Sequence, residues 1–390
     1  DFYDMDLNST PWLNYKGDYT NFILTSSFDK KYSARHTNKT GFTVTNMRYD
    51  MQLQLVPIDA QPLETVSKGK GETNLLSAYT SSAIKLNDRL DATIGLNGQF
   101  FTLNNSWTIE PRAALKWQMS SKNSLAIAYG LHSRTERTDV YFVQQNGKQV
   151  NKDLGFTKSH HASISFNHKL SDDMNVRIEP YFQYLYDVPV MADSSYSILN
   201  RDQIYIQEAL VSKGKGMNYG VDLTFEKYMT RGLYYMVTAS LFNSRYAGGD
   251  GVWHNTRFNR NFIVNGLIGK EWMLGRNKQN VLSVNLKLTV QGGDRYSPVD
   301  EQASMAHPDK ETQYDETRAF SKQFSPIFIA NYSVSYRMNM KNTAHEFAIK
   351  GVNATGYKEY YGHEYNLQTG VIEPRRGKTS LINASYKLNF

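Results

Sequence analysis

The feature that most constrains this chain is a two-residue alternation of apolar and polar side chains, sustained over segments of a dozen residues or more. Successive side chains of a strand point to opposite faces, so each such segment has one greasy face and one wet face. In Val281–Gln291, Leu282, Val284, Leu286, Leu288 and Val290 share a face, and Ser283, Asn285, Lys287, Thr289 and Gln291 share the other. Leu90–Phe100 repeats the pattern, with Leu90, Ala92, Ile94, Leu96 and Phe100 opposing Asp91, Thr93, Asn97 and Gln99. Ala162–Lys169 and Val176–Phe182 do the same, and helical spacing explains none of these as well. About fifteen such segments are predicted, the first near 19–34 and the last near 379–390. Strands of soluble sheets run to ~5–6 residues, whereas a tilted strand crossing a bilayer needs ~9–11 in the hydrocarbon alone. The expected fold is all-β, an antiparallel transmembrane β-barrel.

Composition agrees. No run approaches the ~18 apolar residues of a membrane helix, and the mean hydropathy is −0.56. A barrel shows only half its side chains to lipid, so its average stays polar. No linker or composition shift divides the 390 residues, so the whole of 1–390 reads as one barrel portion. The absence of cysteine excludes disulfides and thiolate metal sites. The net charge of +7 would suit nucleic acid, but Lys and Arg are spread singly along the strands, and no nucleic-acid partner is expected.

Connections alternate in length. Short polar turns are predicted at His36–Thr40, Ser120–Asn123, Ser171–Asp173, Thr230–Gly232, Gly275–Asn280 and Met340–Thr343, with longer loops around 57–72, 138–155, 191–215, 248–256, 299–323 and 361–378. Outer-membrane barrels carry tight periplasmic turns on one rim and long extracellular loops on the other. Leu103–Trp107 is the exception, short where a long loop is due. With the last strand descending to the periplasm, the first also descends, which makes residues 1–16 an extracellular loop. An odd strand number cannot close as an ordinary bacterial barrel, so this chain is expected to be part of a longer polypeptide. At the C-terminus Ile382, Ala384, Tyr386, Leu388 and Phe390 form an apolar face ending on an aromatic ring. Tyr386, Leu388 and Phe390 resemble the insertion signal read by the barrel assembly machinery, an expected partner.

Several stretches resemble the barrel of TonB-dependent receptors, in particular the Bacteroidetes type: EPYFQYLYDVPV (Glu179–Val190), Asn218–Gly251, NTRFNRNFIVNGLIGKEW (Asn255–Trp272), GGDRYSPVD (Gly292–Asp300) and the final SLINASYKLNF. The resemblance covers most of 124–390. It implies a barrel of about 22 strands around a plugged lumen, an N-terminal plug domain and a TonB box, with about seven strands upstream. It also implies active outer-membrane transport of a scarce nutrient, in which TonB acts through a plug that this chain does not show. Outer-membrane lipid is the surrounding partner, and a surface lipoprotein is a further one.

No catalytic constellation, cofactor site or metal site stands out, and no enzyme is expected. His160 and His161 are adjacent in a strand, so their rings point to opposite faces and do not share a metal. The glycines of Lys213–Gly216 and Gly248–Gly251 lack a phosphate-binding loop's context and read as bends. Asp91, Lys169, Arg177, Glu179 and Lys287 project inward on the alternation, because a Lys or Arg facing lipid at the midplane costs ~2–4 kcal/mol. In a plugged barrel they anchor the plug ahead of touching solute. Among the loops, Trp253, His254, Arg257, Tyr361 and His363 are the ligand-contact candidates, since binding residues concentrate in loops on a rigid scaffold. Two other functions fit the composition: a passive porin, and a non-transporting scaffold in a multiprotein envelope complex.

Overall fold

The computed structural model describes all residues except 1, 4–10, 57–61, 202–204, 308–310 and 367. It contains one 17-stranded sheet. Two of its members are short ribbons, Phe2–Tyr3 and Trp253–Asn255. The other fifteen are β1 (Pro11–Ser33), β2 (His36–Leu55), β3 (Glu64–Asn87), β4 (Leu90–Phe101), β5 (Ser106–Gln118), β6 (Asn123–Arg134), β7 (Thr157–Ser171), β8 (Met174–Val190), β9 (Val211–Thr230), β10 (Leu233–Ala247), β11 (Phe262–Leu274), β12 (Asn280–Gln291), β13 (Ile327–Asn339), β14 (Ala344–Val352) and β15 (Leu381–Asn389). Each pairs antiparallel with its sequence neighbour.

The alternation becomes two walls. Ile94, Leu96, Trp107, Ile109, Trp117 and Leu286 belong to the outer, solvent-accessible face, between 38% and 66% exposed. Val284 and Leu288 lie there too, at 36% and 37%, rather than in a dry interior. Such a surface is stable only against hydrocarbon. Aromatic rings stand at its borders, as in the set of Tyr129, His160 and Tyr186, where the Tyr129 hydroxyl lies 2.8 Å from His160 Nδ1 and His160 stacks on Tyr186. Tyrosines favour the membrane–water boundary because one end of the ring is apolar and the other wet.

One rim carries only tight connections, including Ala34–Arg35, Asp88–Arg89, Asp172–Asp173 and Arg231–Gly232. At Asp172–Asp173, Lys227 and Ser171 hydrogen-bond the Asp173 carboxylate and hold it well below the usual carboxylate range. The opposite rim carries the long loops 135–156, 191–210, 248–261, 292–326 and 353–380. The short connection after Phe101 is confirmed, and its Asn104 Nδ2 donates to the carbonyls of Lys152 and Leu154, so the neighbouring long loop roofs it.

Four expectations need correction. Residues 64–72, expected within the long loop 57–72, already belong to β3. Pro11–Lys16 is strand rather than loop, with Leu13–Lys16 paired to Gln52–Leu55. The 23 residues of β1, at ~3.3 Å each, outrun the hydrocarbon and stand above it on the loop side. Residues 4–10 lie outside the described residues. The first turn is Ala34–Arg35, and His36–Thr40 is already strand. The glycines of Lys213–Gly216, expected as bends at a strand end, lie at the outer end of β9 but within the strand, opposite register shifts at Leu185–Pro189. A strand extension beyond the membrane need not be apolar, so Asn14 and Lys16 can sit within β1.

The main buried cluster is supplied mostly by the loops. Val140, Tyr141 and Val143 are fully buried and, with Phe142, pack on Tyr49, Met51 and Phe101. The register puts Tyr49 and Met51 opposite Gly71 and Gly69, on the same face as the polar lumen row. Loop 135–156 therefore folds into the barrel mouth. Gly69 makes room for it: a Cβ there would lie 2.6 Å from the Phe142 ring. Loop 191–210 adds Ile198, Ile206 and Leu210 to the same cluster. Asn151, fully buried, ties the loops by donating to Glu208 O and accepting from Leu210 N.

Candidate functional site: the lumen wall and the loop mouth

The lumen wall is assembled by cross-strand register. Glu110 on β5 stands opposite Asn97 and is 1% exposed. It accepts from Asn97 Nδ2 at 3.0 Å, from Gln99 Nε2 and Ser133 Oγ, and from Arg112 Nη2 at 2.7 Å. A carboxylate out of water stays charged only when donors saturate it, and here four do. Sequence reading passed over Glu110, although its alternation with Thr108 and Arg112 on one face of Ser106–Gln118 was visible. Glu110→Leu is expected to orphan these donors and cost roughly 1–3 kcal/mol. Thermal unfolding in detergent measures it, and an unchanged midpoint would refute the role.

Beside this hub lies a concavity of about 1010 Å³ whose lining includes Arg112, His132, His161, Glu179, Tyr181 and Asp222. Of the five inward charges expected from sequence, Glu179 is in this wall, directly opposite Asp222. Arg177 is one rung toward the periplasm, opposite Asn167 and Thr224. Lys169 opposes Asn175 near the turn, and Asp91 sits at the same rim between Lys85 and Lys116. Lys287 is on another sector, opposite Leu267 and Asn331. All five share the polar face; the fold does not gather them into one site.

The loop candidates divide. His254 is 7% exposed, 3.0 Å from Asp250 and packed on Tyr246, so it braces the ribbon instead of facing a ligand. That corrects the expectation of a loop contact: the ribbon pairs with the end of β10 and turns this ring inward. The Trp253 carbonyl accepts from Arg245. The Arg257 backbone joins two other loops, its N–H donating to Asn200 Oδ1 and its carbonyl accepting from Arg295 N–H. Tyr361 stays at the surface, 54% exposed. His363 packs against Tyr296, Tyr314 and Phe324, where burial lowers its pKa from the ordinary histidine value. A stack of Tyr296, Phe324 and Tyr360, with ring centroids 4.3 and 4.2 Å apart, fastens the hairpin Glu359–Gly377 to loop 292–326. At the C-terminus the Tyr386 hydroxyl meets His345 Nδ1 at 2.7 Å, and Phe390 is 96% exposed.

Compared with solved structures, the chain superposes on the ferric yersiniabactin uptake receptor FyuA of Yersinia pestis with a TM-score of 0.68, at 12% identity over 98% of this chain and 56% of that one. It matches the outer membrane transporter YddB of Escherichia coli with a TM-score of 0.66, at 12% identity over 96% and 55%. The chain has the barrel fold of the TonB-dependent outer-membrane receptors. The FrpB iron transporter of Neisseria meningitidis gives a TM-score of 0.60, at 12% identity over 96% and 55%. No family model and no curated protein matches the sequence. The chain thus spans little more than half the length of these structures. Its place is the bacterial outer membrane, where lipid contacts the apolar face.

Proposed function

We propose that this chain is the C-terminal barrel part of a TonB-dependent active transporter that carries a scarce nutrient from the loop mouth to the periplasm. The observation that carries the reading is the pair of open edges. The β15 strand pairs only with β14, and beyond the contact with Phe2–Tyr3 the outer edge of β1 has no strand partner among the described residues. Unpaired backbone groups in hydrocarbon cost several kcal/mol each, so further strands must complete this wall. A receptor barrel of about 22 strands supplies them. Its plug would rest on the polar rungs of Arg177, Glu179 and Lys287 and couple to TonB. Tyr386, Leu388 and Phe390 serve the assembly machinery, the loops suit a surface lipoprotein, and the quoted segments keep the Bacteroidetes-type kinship as part of the reading.

Deletion of the whole gene should abolish growth on one limiting nutrient, and restoring it in a strain without TonB should not rescue that growth. Rescue without TonB, together with open conductance in planar bilayers, would replace this reading with a passive porin. Unimpaired uptake of every nutrient tested, with a stable co-purifying partner, would replace it with an envelope scaffold.

A further inference from the structure

We propose that His132 and His161 form a two-imidazole site on the lumen wall for a transition-metal ion of the Zn²⁺, Ni²⁺ or Cu²⁺ class. His161 faces inward while its sequence neighbour His160 faces the membrane boundary, so the adjacent pair is not the site. Its companion comes from the next strand. The register sets His161 opposite Gly130, and a Cβ at Gly130 would stand 2.8 Å from His132 Nε2. The missing side chain is what lets the His132 ring fold across toward His161.

The resulting ring centroids are 4.7 Å apart, at an interplanar angle of 53°. A metal bound at ~2.0–2.1 Å lies roughly 3.1–3.2 Å from each imidazole centroid, so two rings at 90–110° about one ion would have centroids about 4.4–5.2 Å apart. The observed separation falls inside that interval. Both rings line the 1010 Å³ concavity, and among the described residues neither has a hydrogen-bond partner. The nearby Arg112 is paired with Glu110 at 2.7 Å, which offsets part of its repulsion of a cation at His132. Glu179 and Asp222 lie further along the same wall, Glu179 four residues from Gln183, the residue that His161 faces. No cluster of three or more ligating side chains occurs among the described residues. Two protein ligands leave the remaining positions to water or to the donors of an arriving complex, which suits exchangeable capture rather than a structural ion. The site rests on the geometry of this wall and stands whether or not the chain transports.

The test is calorimetric titration of the detergent-solubilised full chain with ZnCl₂ or NiCl₂ alone, with electron paramagnetic resonance of the Cu²⁺-loaded protein as a second measurement. The expected result is one strong equivalent, weakened at least ~10-fold by His132→Ala and by His161→Asn and unchanged by His160→Ala, with coupling to two imidazole nitrogens in the Cu²⁺ spectrum. Full-strength binding in both lumen variants, no binding by the parent protein, or a spectrum without paired imidazole coupling would each overturn it. Unfolding temperatures of the variants in detergent establish that a lost equivalent is not a lost fold.

Discussion

Leu286→Arg is expected to destabilise the barrel by ~2–4 kcal/mol, because the guanidinium would face hydrocarbon near the centre of β12. Leu286 belongs to the outer face, is 38% exposed, and has Tyr332 and Ile268 as cross-strand neighbours on that face. The adjacent Lys287 supplies the control. It faces the lumen opposite Asn331 and Leu267, and Lys287→Gln should stay within about 0.5 kcal/mol of the parent. Urea unfolding in phospholipid vesicles, followed by the mobility shift of folded barrel on unheated gels, separates the two. Equal tolerance at both positions would mean that the outward face does not meet lipid. The reading of the whole wall would fall with it.

Tyr141→Ala is the second large effect. Its ring is fully buried in the mouth of the barrel, 5.3 Å from Phe101, and its hydroxyl oxygen accepts the Glu136 N–H at 3.0 Å. Truncating a buried aromatic costs about 3–5 kcal/mol. Here that cost falls on one loop, because the strands keep their own hydrogen-bond ladder. Loop 135–156 should therefore detach while the barrel stays folded. Trypsin should then cleave after Lys148 or Lys152 at least ~100-fold faster than in the parent, consistent with local opening made easier by several kcal/mol. Tyr141→Phe keeps the ring and loses only the acceptor, a change of about 1 kcal/mol, and should remain nearly as resistant. A Tyr141→Ala loop as resistant as the parent would show that the inward cluster does not hold it.

These two substitutions mark different parts of what the chain encodes. The position of Leu286 was legible from the sequence, as were the fifteen strands and the assignment of short turns to one rim. The burial of Tyr141 was not. Nothing periodic distinguishes Thr138–Phe142 from a solvated loop, and the seat for Phe142 is a glycine more than seventy residues earlier. His254 shows the same gap in reverse: the sequence offers an exposed loop histidine, and three residues of pairing with the end of β10 bury it.

What the sequence by itself determined is which side of each strand is greasy, because a pleated backbone turns successive side chains to opposite faces whatever their neighbours do. Only the tertiary structure decided which residues meet across strands and loops. Glu110 gains three of its four donors, Asn97, Gln99 and Ser133, and His132 its partner His161, through register between segments that carry no mark of each other. The depth to which loop 135–156 enters the mouth depends on glycines and aromatics contributed by other strands. Facing is a local property of the backbone. Meeting depends on hydrogen-bond ladders and packing between distant parts of the chain, and these exist only once it has folded.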